Sequence, residues 1–297
     1  LPIQRLCIFL SSIVVKTISQ PEGEKEEMEQ LTAYFPGPPR IAFDAAGMGQ
    51  PVLFLHGIGG NRTNWTSQMQ ACTGDYCALA WDARGYGLSD DYDGPLDFAQ
   101  FADDVVGLLD HLSIAKAHFV GLSMGGRITQ DLYFRYPERV LTMVLCDTFP
   151  GTTPTLPPKE REEFINLRKG PLIAGKSLGE MAEPLAKTLL STNPAPEHFQ
   201  RLVDSIKALH QDSYIKTLEA SMRYDHAVDI STISVPVQLI YGAEDRLTPP
   251  AIGEQMQRDI PDAQLAIIEG AGHLSNIEGE AEFNRVLLQF LARHASS

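Results

Sequence analysis

Gly121-Leu122-Ser123-Met124-Gly125 carries more structural information than any other segment of this sequence. An apolar run at residues 117–120 precedes it, and apolar residues recur at helical spacing from Gly126 onward. A serine between two glycines, where a strand turns sharply into a helix, is typical of a nucleophile elbow. Such a turn strains the serine backbone and leaves no room for bulky side chains on either flank. The pattern predicts that the Ser123 hydroxyl stands clear of a sheet, beside the Met124 amide.

Strand and helix patterns alternate through most of the chain. The continuous apolar run at residues 51–55 is typical of a strand buried on both faces of a parallel sheet. Residues 98–112 instead have apolar side chains at helical spacing. Strands are predicted at residues 31–35, 40–44, 51–55, 78–81, 117–120, 140–146, 235–241 and 264–268, with further helices from near residue 63 and up to residue 136. The alternation predicts an α/β fold with a mostly parallel, doubly wound sheet.

The alternation stops at Pro150. From there to residue 232 the pattern is helical and interrupted by prolines, and strand patterns resume at Val235. A long helical insertion between two strands of one sheet is typical of a lid over the carboxyl edge of that sheet. We therefore expect a core formed by residues 31–149 and 233–297, and a helical cap (lid) formed by residues 150–232.

The first thirty residues do not fit this scheme. Arg5 precedes an apolar stretch at residues 6–15, which has the length of a signal peptide but is too short to span a bilayer. No small-residue cleavage site follows it. The interpretations are an uncleaved export signal, a surface-docked extra element, and sequence upstream of a natural start at Met28. We favour the last two, and so expect residues 1–30 to be a poorly ordered extension of a cytoplasmic protein without a membrane span.

The composition argues against several classes of partner and site. A formal net charge of −14 disfavours nucleic acid and anionic membranes as partners. The four cysteines show no spacing typical of zinc or redox sites, so we expect no metal. Cys146 lies in an apolar strand pattern and is interpreted as a buried thiol. A disulfide between Cys72 and Cys77 stays open, and the oligomeric state is not determined by the sequence.

Two later loops carry the groups that Ser123 would need. A serine hydroxyl is a weak nucleophile, so it requires a positioned base and an acid that holds that base. The loop Gly242-Ala243-Glu244-Asp245-Arg246 follows one predicted strand, and Gly270-Ala271-Gly272-His273 follows the next. The carboxyl ends of parallel strands meet at one edge of the sheet. We therefore predict a catalytic triad in which His273 accepts the Ser123 proton and Asp245 orients the imidazole.

Other acids and histidines compete for these roles. Glu244 lies beside Asp245, but the spacing from Gly242 favours Asp245. Asp147 ends the strand after the elbow and is interpreted as a turn-forming residue. A histidine bracketed by glycines after the last strand is difficult to explain except as the catalytic base, although a plain surface-loop role for His273 is the alternative.

The oxyanion that forms on attack requires two hydrogen-bond donors already in place. The Met124 amide is one. The second is expected in the loop His56-Gly57-Ile58-Gly59, where small residues allow close approach of substrate. We assign it to the Ile58 amide, with Gly59 as the alternative. His56 is interpreted as an anchor of this loop.

Taken together, these motifs resemble the α/β-hydrolase superfamily over about residues 31–291. The matching segments are His56-Gly57, D-x-R-G-x-G-x-S at residues 82–89, G-x-S-x-G-G at 121–126, and the Asp245 and His273 loops. Segments 136–140 and 144–148 most resemble the serine esterase/lactonase branch that includes 3-oxoadipate enol-lactonase. This resemblance implies hydrolysis of a small ester or lactone without a cofactor. It also implies that Asp82 and Arg84 brace the loop beside the active site.

The resemblance narrows the activities. Haloalkane dehalogenases and epoxide hydrolases of this fold need an aspartate where this chain has Ser123. C–C bond hydrolases usually have asparagine in place of Leu122, and a proline where this chain has Gly59-Gly60. They and the perhydrolases, which share the triad, are the alternative enzymes. A non-catalytic ligand-binding protein is the alternative from another class, and the intact triad argues against it.

The lid should select the substrate. Its candidate pocket residues are Leu156, Phe164, Leu172, Ile173, Met181, Leu185, Leu189 and Phe199, and its cations are Arg161, Arg168, Lys169 and Arg223. One arginine in the pocket would suit a carboxylate-bearing lactone, and a wholly apolar pocket would suit a neutral ester. For most of these side chains, packing of the lid helices on the sheet is the favoured interpretation.

Overall fold

Eight strands form one sheet in the computed structural model, which describes residues 30–151 and 156–295. The strands are β1 (Leu31–Phe35), β2 (Ile41–Ala46), β3 (Gln50–Leu55), β4 (Tyr76–Trp81), β5 (Ala117–Leu122), β6 (Val140–Cys146), β7 (Val237–Gly242) and β8 (Ala263–Ile268). Their order across the sheet is β1-β2-β4-β3-β5-β6-β7-β8. β2 runs antiparallel to β1 and β4, and all other neighbours are parallel. The predicted α/β fold with a mostly parallel sheet is confirmed.

Helices occupy the connections between the parallel strands. They are α1 (Thr66–Cys72), α2 (Ala99–His111), α3 (Met124–Arg135), α4 (Pro158–Ile173), α5 (Leu178–Leu189), α6 (Pro196–Lys207), α7 (Gln211–Arg223), α8 (Pro250–Asp259), α9 (Ser275–Glu278) and α10 (Glu280–Arg293). The helix predicted near residue 63 begins as a 3₁₀ turn, Arg62–Trp65, which Asn61 caps. α1 continues directly from that turn.

The middle of the sheet is the centre of the core. All six residues of β5 and of β7 are buried. Phe119 of β5 pairs with Leu53 of β3 on one side and with Met143 of β6 on the other, and none of the three is exposed to solvent. Full burial of such a side chain stabilises the fold by about 1.5–3 kcal/mol. The loops at the carboxyl ends of β3, β5 and β6 are therefore attached to well-packed, buried strands.

Two strands begin two residues away from their predicted starts. β4 begins at Tyr76, two residues early, because Tyr76 and Cys77 pair with the first residues of β3. β7 begins at Val237, two residues late. Pro236 has no N–H to donate to a neighbouring strand, so regular pairing starts after it.

Helices α4–α7, which we call the inserted helices, lie between β6 and β7 in the chain. α5 packs against α6, and α4 packs against α7. Outside residues 152–155, which are not described, the segment predicted to be helical contains no strand. That this segment forms a separate cap stays a prediction.

Other sequence predictions concern the ends and the cysteines. The extension predicted for residues 1–30 lies, except for Gln30, outside the described residues. Within the described ranges, no helix is both long enough and apolar enough to cross a membrane. Cys72 and Cys77 are both buried and form no disulfide with each other. The Cys146 thiol is buried, as predicted.

Candidate active site

Ser123 lies at the sharp turn between β5 and α3. Its backbone has φ 54° and ψ −113°, a left-handed conformation that costs about 1–3 kcal/mol in a residue other than glycine. The Ser123 N–H donates to the Cys146 carbonyl (2.9 Å), and the Ser123 carbonyl accepts from the Thr148 hydroxyl (2.7 Å). These bonds to the end of β6 hold the strained residue in place.

The glycines around Ser123 are required by close backbone approach. A Cβ on Gly121 would lie 2.3 Å from the Gly125 carbonyl oxygen. A Cβ on Gly125 would lie 2.0 Å from the carbonyl oxygen of Leu55, the last residue of β3. Neither separation is compatible with a side chain. The predicted elbow therefore depends on the fit of α3 against two strands.

Asp245 and His273 are in contact, on the loops that follow β7 and β8. The His273 Nδ1 donates to Asp245 Oδ2 at 2.7 Å, and both side chains are buried. Asp245 Oδ1 also accepts from the amides of Leu247 (2.8 Å) and Thr248 (3.0 Å), and Oδ2 accepts from the Thr248 hydroxyl (2.5 Å). With Nδ1 as the donor, His273 Nε2 remains as a base.

The electrostatics of this pair suit that role. Burial alone would lower the pKa of His273, but the hydrogen bond to Asp245 and the charges of Asp245 and Asp147 outweigh it, so the pKa is raised. Burial alone would raise the pKa of Asp245, but His273 and the donors of Thr248 lower it below its usual value. Asp245 is therefore ionised at neutral pH, and its charge favours the protonated form of His273.

The two competing acids lie in different surroundings. Glu244 is exposed, and its Oε2 accepts from the Thr192 amide at 2.8 Å. Asp147 is buried at a positive φ of 46°, and its Oδ1 accepts from the Gly242 amide at 2.8 Å. Burial, together with the charge of Asp245, raises the pKa of Asp147 to about 7. Of the three acids, Asp245 is the one that the structure pairs with His273.

The loop after β3 is fixed by His56. The buried His56 ring donates from Nδ1 to the Gly57 carbonyl (2.9 Å) and accepts at Nε2 from the Ala83 amide (3.0 Å). Burial lowers the pKa of His56 and keeps the ring neutral, as these two bonds require. His56 is thus the loop anchor that the sequence suggested.

A cavity of about 320 Å³ brings together four of the five predicted site residues, and Asp245 is not among its lining residues. Ser123 and His273 line it, and so do Ile58 and Met124, the two predicted oxyanion donors. Most of the remaining wall is apolar. It comes largely from the inserted helices and from the turn between α6 and α7: Phe164, Leu185, Ile206, Leu209 and Leu218. A polar reacting centre enclosed by apolar walls is the usual form of a small-molecule site.

The family follows from a direct comparison. A family model described as alpha/beta hydrolase fold matches residues 50–280, well over half of the chain. The chain belongs to the α/β-hydrolase family. The fold, the elbow and the loop order described above are those of this family.

The relatives of this α/β hydrolase have several activities. The chain is 28% identical over 260 residues to 3-oxoadipate enol-lactonase 2 of Acinetobacter baylyi, covering 85% of this chain and 94% of that protein. It is also 28% identical over 267 residues (84% of this chain and 90% of the relative) to a 2-hydroxy-6-oxononadienedioate/2-hydroxy-6-oxononatrienedioate hydrolase of a Pseudomonas species. Among solved structures, a thermophilic esterase from Thermogutta terrifontis with malate bound superposes with a TM-score of 0.81 and 27% identity, over 91% of this chain and 99% of that one. These similarities support a hydrolase.

The D-x-R-G motif of this α/β hydrolase braces the site. The Asp82 carboxylate accepts from the amides of Arg62 and Leu88, each at 2.7 Å. Arg84 forms two hydrogen bonds to Asp104, at 2.6 and 2.7 Å. Asp82 and Arg84 thus make their contacts with other residues of the core, as the resemblance implied.

Some of the lid residues predicted for the pocket line the cavity, and others do not. Those that line the cavity are Leu156, Phe164, Arg168, Leu185 and Leu189. Those absent from its lining are Arg161, Lys169, Leu172, Ile173, Met181, Phe199 and Arg223. In the second group Leu172 is packed in the core, as the favoured interpretation expects, whereas Ile173 is exposed and Lys169 and Arg223 form ion pairs.

Sequence reasoning missed several residues of the site. Thr248 caps the Asp245 carboxylate, and its position three residues later in a turn was a signal that could have revealed it. Arg127, Phe149 and Tyr214 line the cavity without any local pattern that would indicate it. Their role depends on the packing of distant segments.

Proposed function

We propose that this α/β hydrolase is a serine hydrolase that cleaves a small carboxylic ester or lactone through an acyl-enzyme on Ser123. The observation that carries this is the 2.7 Å bond between His273 and Asp245, on a histidine that shares one cavity with the strained Ser123. The division of roles among the three residues follows from their surroundings.

In the first half of the reaction, Ser123 Oγ attacks the acyl carbon and its proton passes to His273 Nε2. The carbonyl oxygen becomes an oxyanion, which the amides of Ile58 and Met124 stabilise. The tetrahedral intermediate then collapses. The leaving alkoxide takes the proton from the imidazolium, and the acyl group stays on Ser123.

In the second half, a water molecule donates a proton to His273 and attacks the acyl-enzyme. The same oxyanion donors stabilise the second intermediate. Its collapse returns the proton to Ser123 and releases the acid. For a lactone the alcohol and the acid belong to one product molecule.

The properties of His273 and Ser123 favour an enzyme over the alternative of a protein that only binds a ligand. A binding protein has no need of an imidazole whose pKa is raised by a buried carboxylate in contact with it. A serine held at φ 54° is likewise a strained feature that a simple pocket would not require.

The test is turnover of p-nitrophenyl butyrate, followed by a screen of short p-nitrophenyl esters against lactones. We expect Ser123→Ala to lose at least about 1,000-fold in kcat. A fluorophosphonate should label the wild-type peptide that contains Ser123. Ser231→Ala, an exposed serine remote from the cavity, is the matched control and should keep full activity.

Two results would contradict the proposal. One is undiminished turnover by a folded Ser123→Ala protein. The other is ligand binding by the wild type without turnover that depends on Ser123, which would favour the non-catalytic alternative. Cleavage of a vinylogous diketone, with no activity on esters or lactones, would favour a C–C bond hydrolase.

A further inference from the structure

The cavity has a charge opposite to that of the protein. The chain has a formal net charge of −14. The residues that line the cavity nevertheless include two arginines, Arg127 and Arg168, and no aspartate or glutamate among the described residues. A cation in an apolar cavity loses hydration, so its presence there needs a compensating interaction.

Arg127 is already engaged by the protein. It lies one turn after Ser123 on α3, and its Nη1 donates to the main-chain carbonyl of Ser221 on α7 at 2.5 Å. Its guanidinium also lies 5.5 Å from the ring centroid of Phe98. These contacts join the core to the inserted helices, which is a structural role.

Arg168 differs from Lys169 and Arg223, the two nearby cations of the inserted helices that form ion pairs. Lys169 is paired with Glu219, and Arg223 is paired with Glu162. Within residues 30–151 and 156–295, no carboxylate lies within ion-pairing distance of Arg168, although the side chain is only partly exposed. The cavity therefore holds a guanidinium that the described protein does not neutralise.

The contacts of Arg168 hold it ready for a ligand. Its guanidinium carbon lies 3.5 Å from the ring centroid of Phe164, one turn earlier on α4. Stacking on an aromatic face fixes the plane of the guanidinium and leaves its N–H edge able to donate two parallel hydrogen bonds. Tyr214, another cavity residue, is near enough for the charge of Arg168 to act on its hydroxyl.

From these observations we infer that Arg168 binds a carboxylate of the substrate, so that the preferred substrates are half-esters or lactones with an anionic group remote from the bond that is cleaved. The inference rests on the proposed function, because it places the anion in the cavity that holds Ser123. A planar fork of N–H donors matches a carboxylate in both charge and geometry.

The first experiment compares two esters of similar size, mono-4-nitrophenyl glutarate and 4-nitrophenyl pentanoate, after subtraction of the uncatalysed rates. The wild type should prefer the anionic ester. Arg168→Met should lower kcat/KM for that ester by about 10- to 100-fold, since a charge-assisted pair is lost, mainly through KM. The same variant should change kcat/KM for the neutral ester less than about 3-fold, and Arg168→Lys should recover part of the loss.

Arg161→Met is the matched control. It removes the same charge from the same helix at a residue that does not line the cavity. It should leave the preference between the two esters unchanged. An equal loss on both esters in Arg168→Met, or the same selective loss in Arg161→Met, would overturn the inference.

A second measurement does not depend on turnover. Calorimetry should detect glutarate binding to Ser123→Ala, and at least about 10-fold weaker binding when Arg168→Met is added. Absence of glutarate binding would overturn the inference and leave the proposed function intact if neutral esters are cleaved. Glutarate binding that depends on Arg168, without cleavage of any ester or lactone, would support the anion site and contradict the proposed function.

Discussion

Asp147 accepts a hydrogen bond from the Ser275 hydroxyl across 2.5 Å, which ties the end of β6 to the loop that carries His273. The same carboxylate accepts from the Gly242 amide at the end of β7. One buried side chain thus connects the strand after the elbow with both loops that supply the Asp245–His273 pair. The charge of Asp147 also acts on that pair, because it contributes to the raised pKa of His273.

We predict that Asp147→Asn moves the acidic limb of the kcat/KM profile to lower pH. The substitution keeps the size of the side chain but removes a carboxyl group whose pKa is about 7. The ionised form of that group favours protonated His273, so without it the pKa of His273 falls and the free base persists at lower pH. The measurement is kcat/KM on a neutral ester against pH. Asp259→Asn, at the end of α8, makes the same charge change as a control and should leave the limb in place. A limb that moves to higher pH would contradict this role.

Gly125→Ala should destabilise the protein by about 3 kcal/mol or more and abolish turnover, since an added Cβ would overlap the Leu55 carbonyl. Urea unfolding followed by fluorescence measures the first effect. Gly74→Ala is the matched control, because its Cβ would meet no atom within 4 Å. We expect that control to change the free energy of unfolding by less than about 0.5 kcal/mol. Equal stability of the two variants would contradict the close approach of α3 to β3.

His118 should make the protein less stable in mild acid. Burial, with a smaller effect from His294, lowers the pKa of His118 to about 4 from an ordinary 6.5. Between these values the unfolded chain binds a proton that the folded protein does not. Stability therefore falls as pH decreases from 6.5 to 4, by about 3 kcal/mol from this residue.

The check is chemical denaturation at several pH values for the wild type and His118→Asn. The Asn variant lacks the titrating ring, so its stability should decline less steeply over the same interval, whatever its stability at neutral pH. Identical slopes for the two proteins would contradict the prediction.

Local patterns were sufficient to predict the sheet and to select the residues of the candidate site. The apolar run at residues 51–55 indicates burial on two faces of a sheet. The glycines around Ser123 indicate close backbone approach, which for Gly125 is to Leu55 on another strand. The Asp245 and His273 loops could be placed because parallel strands end at one edge. In each case a pattern within a few residues is enough to place a segment, although the segments that then meet, such as the Asp245 and His273 loops, are far apart in the chain.

The cavity wall could not be predicted in the same way. The apolar residues of α4 are not confined to one face, so the sequence does not show which side of that helix meets the cavity. Phe164 lines the cavity whereas Phe199 does not, although both are aromatic residues of the inserted helices. Among the described residues, no carboxylate lies within ion-pairing distance of Arg168. This separation likewise depends on how α4 and α7 pack. Such properties arise from contacts between residues far apart in the chain.

The reacting groups and the walls around them come from different parts of this hydrolase. Ser123, Asp245 and His273 stand on loops of the sheet, whereas Phe164, Arg168 and Leu218 belong to the inserted helices. Under the proposed function, substitutions on α4 and α7 can therefore change substrate preference without altering Ser123, Asp245 or His273. Such substitutions must preserve the hydrogen bond from Arg127 to the Ser221 carbonyl, because it joins α3 of the core to α7.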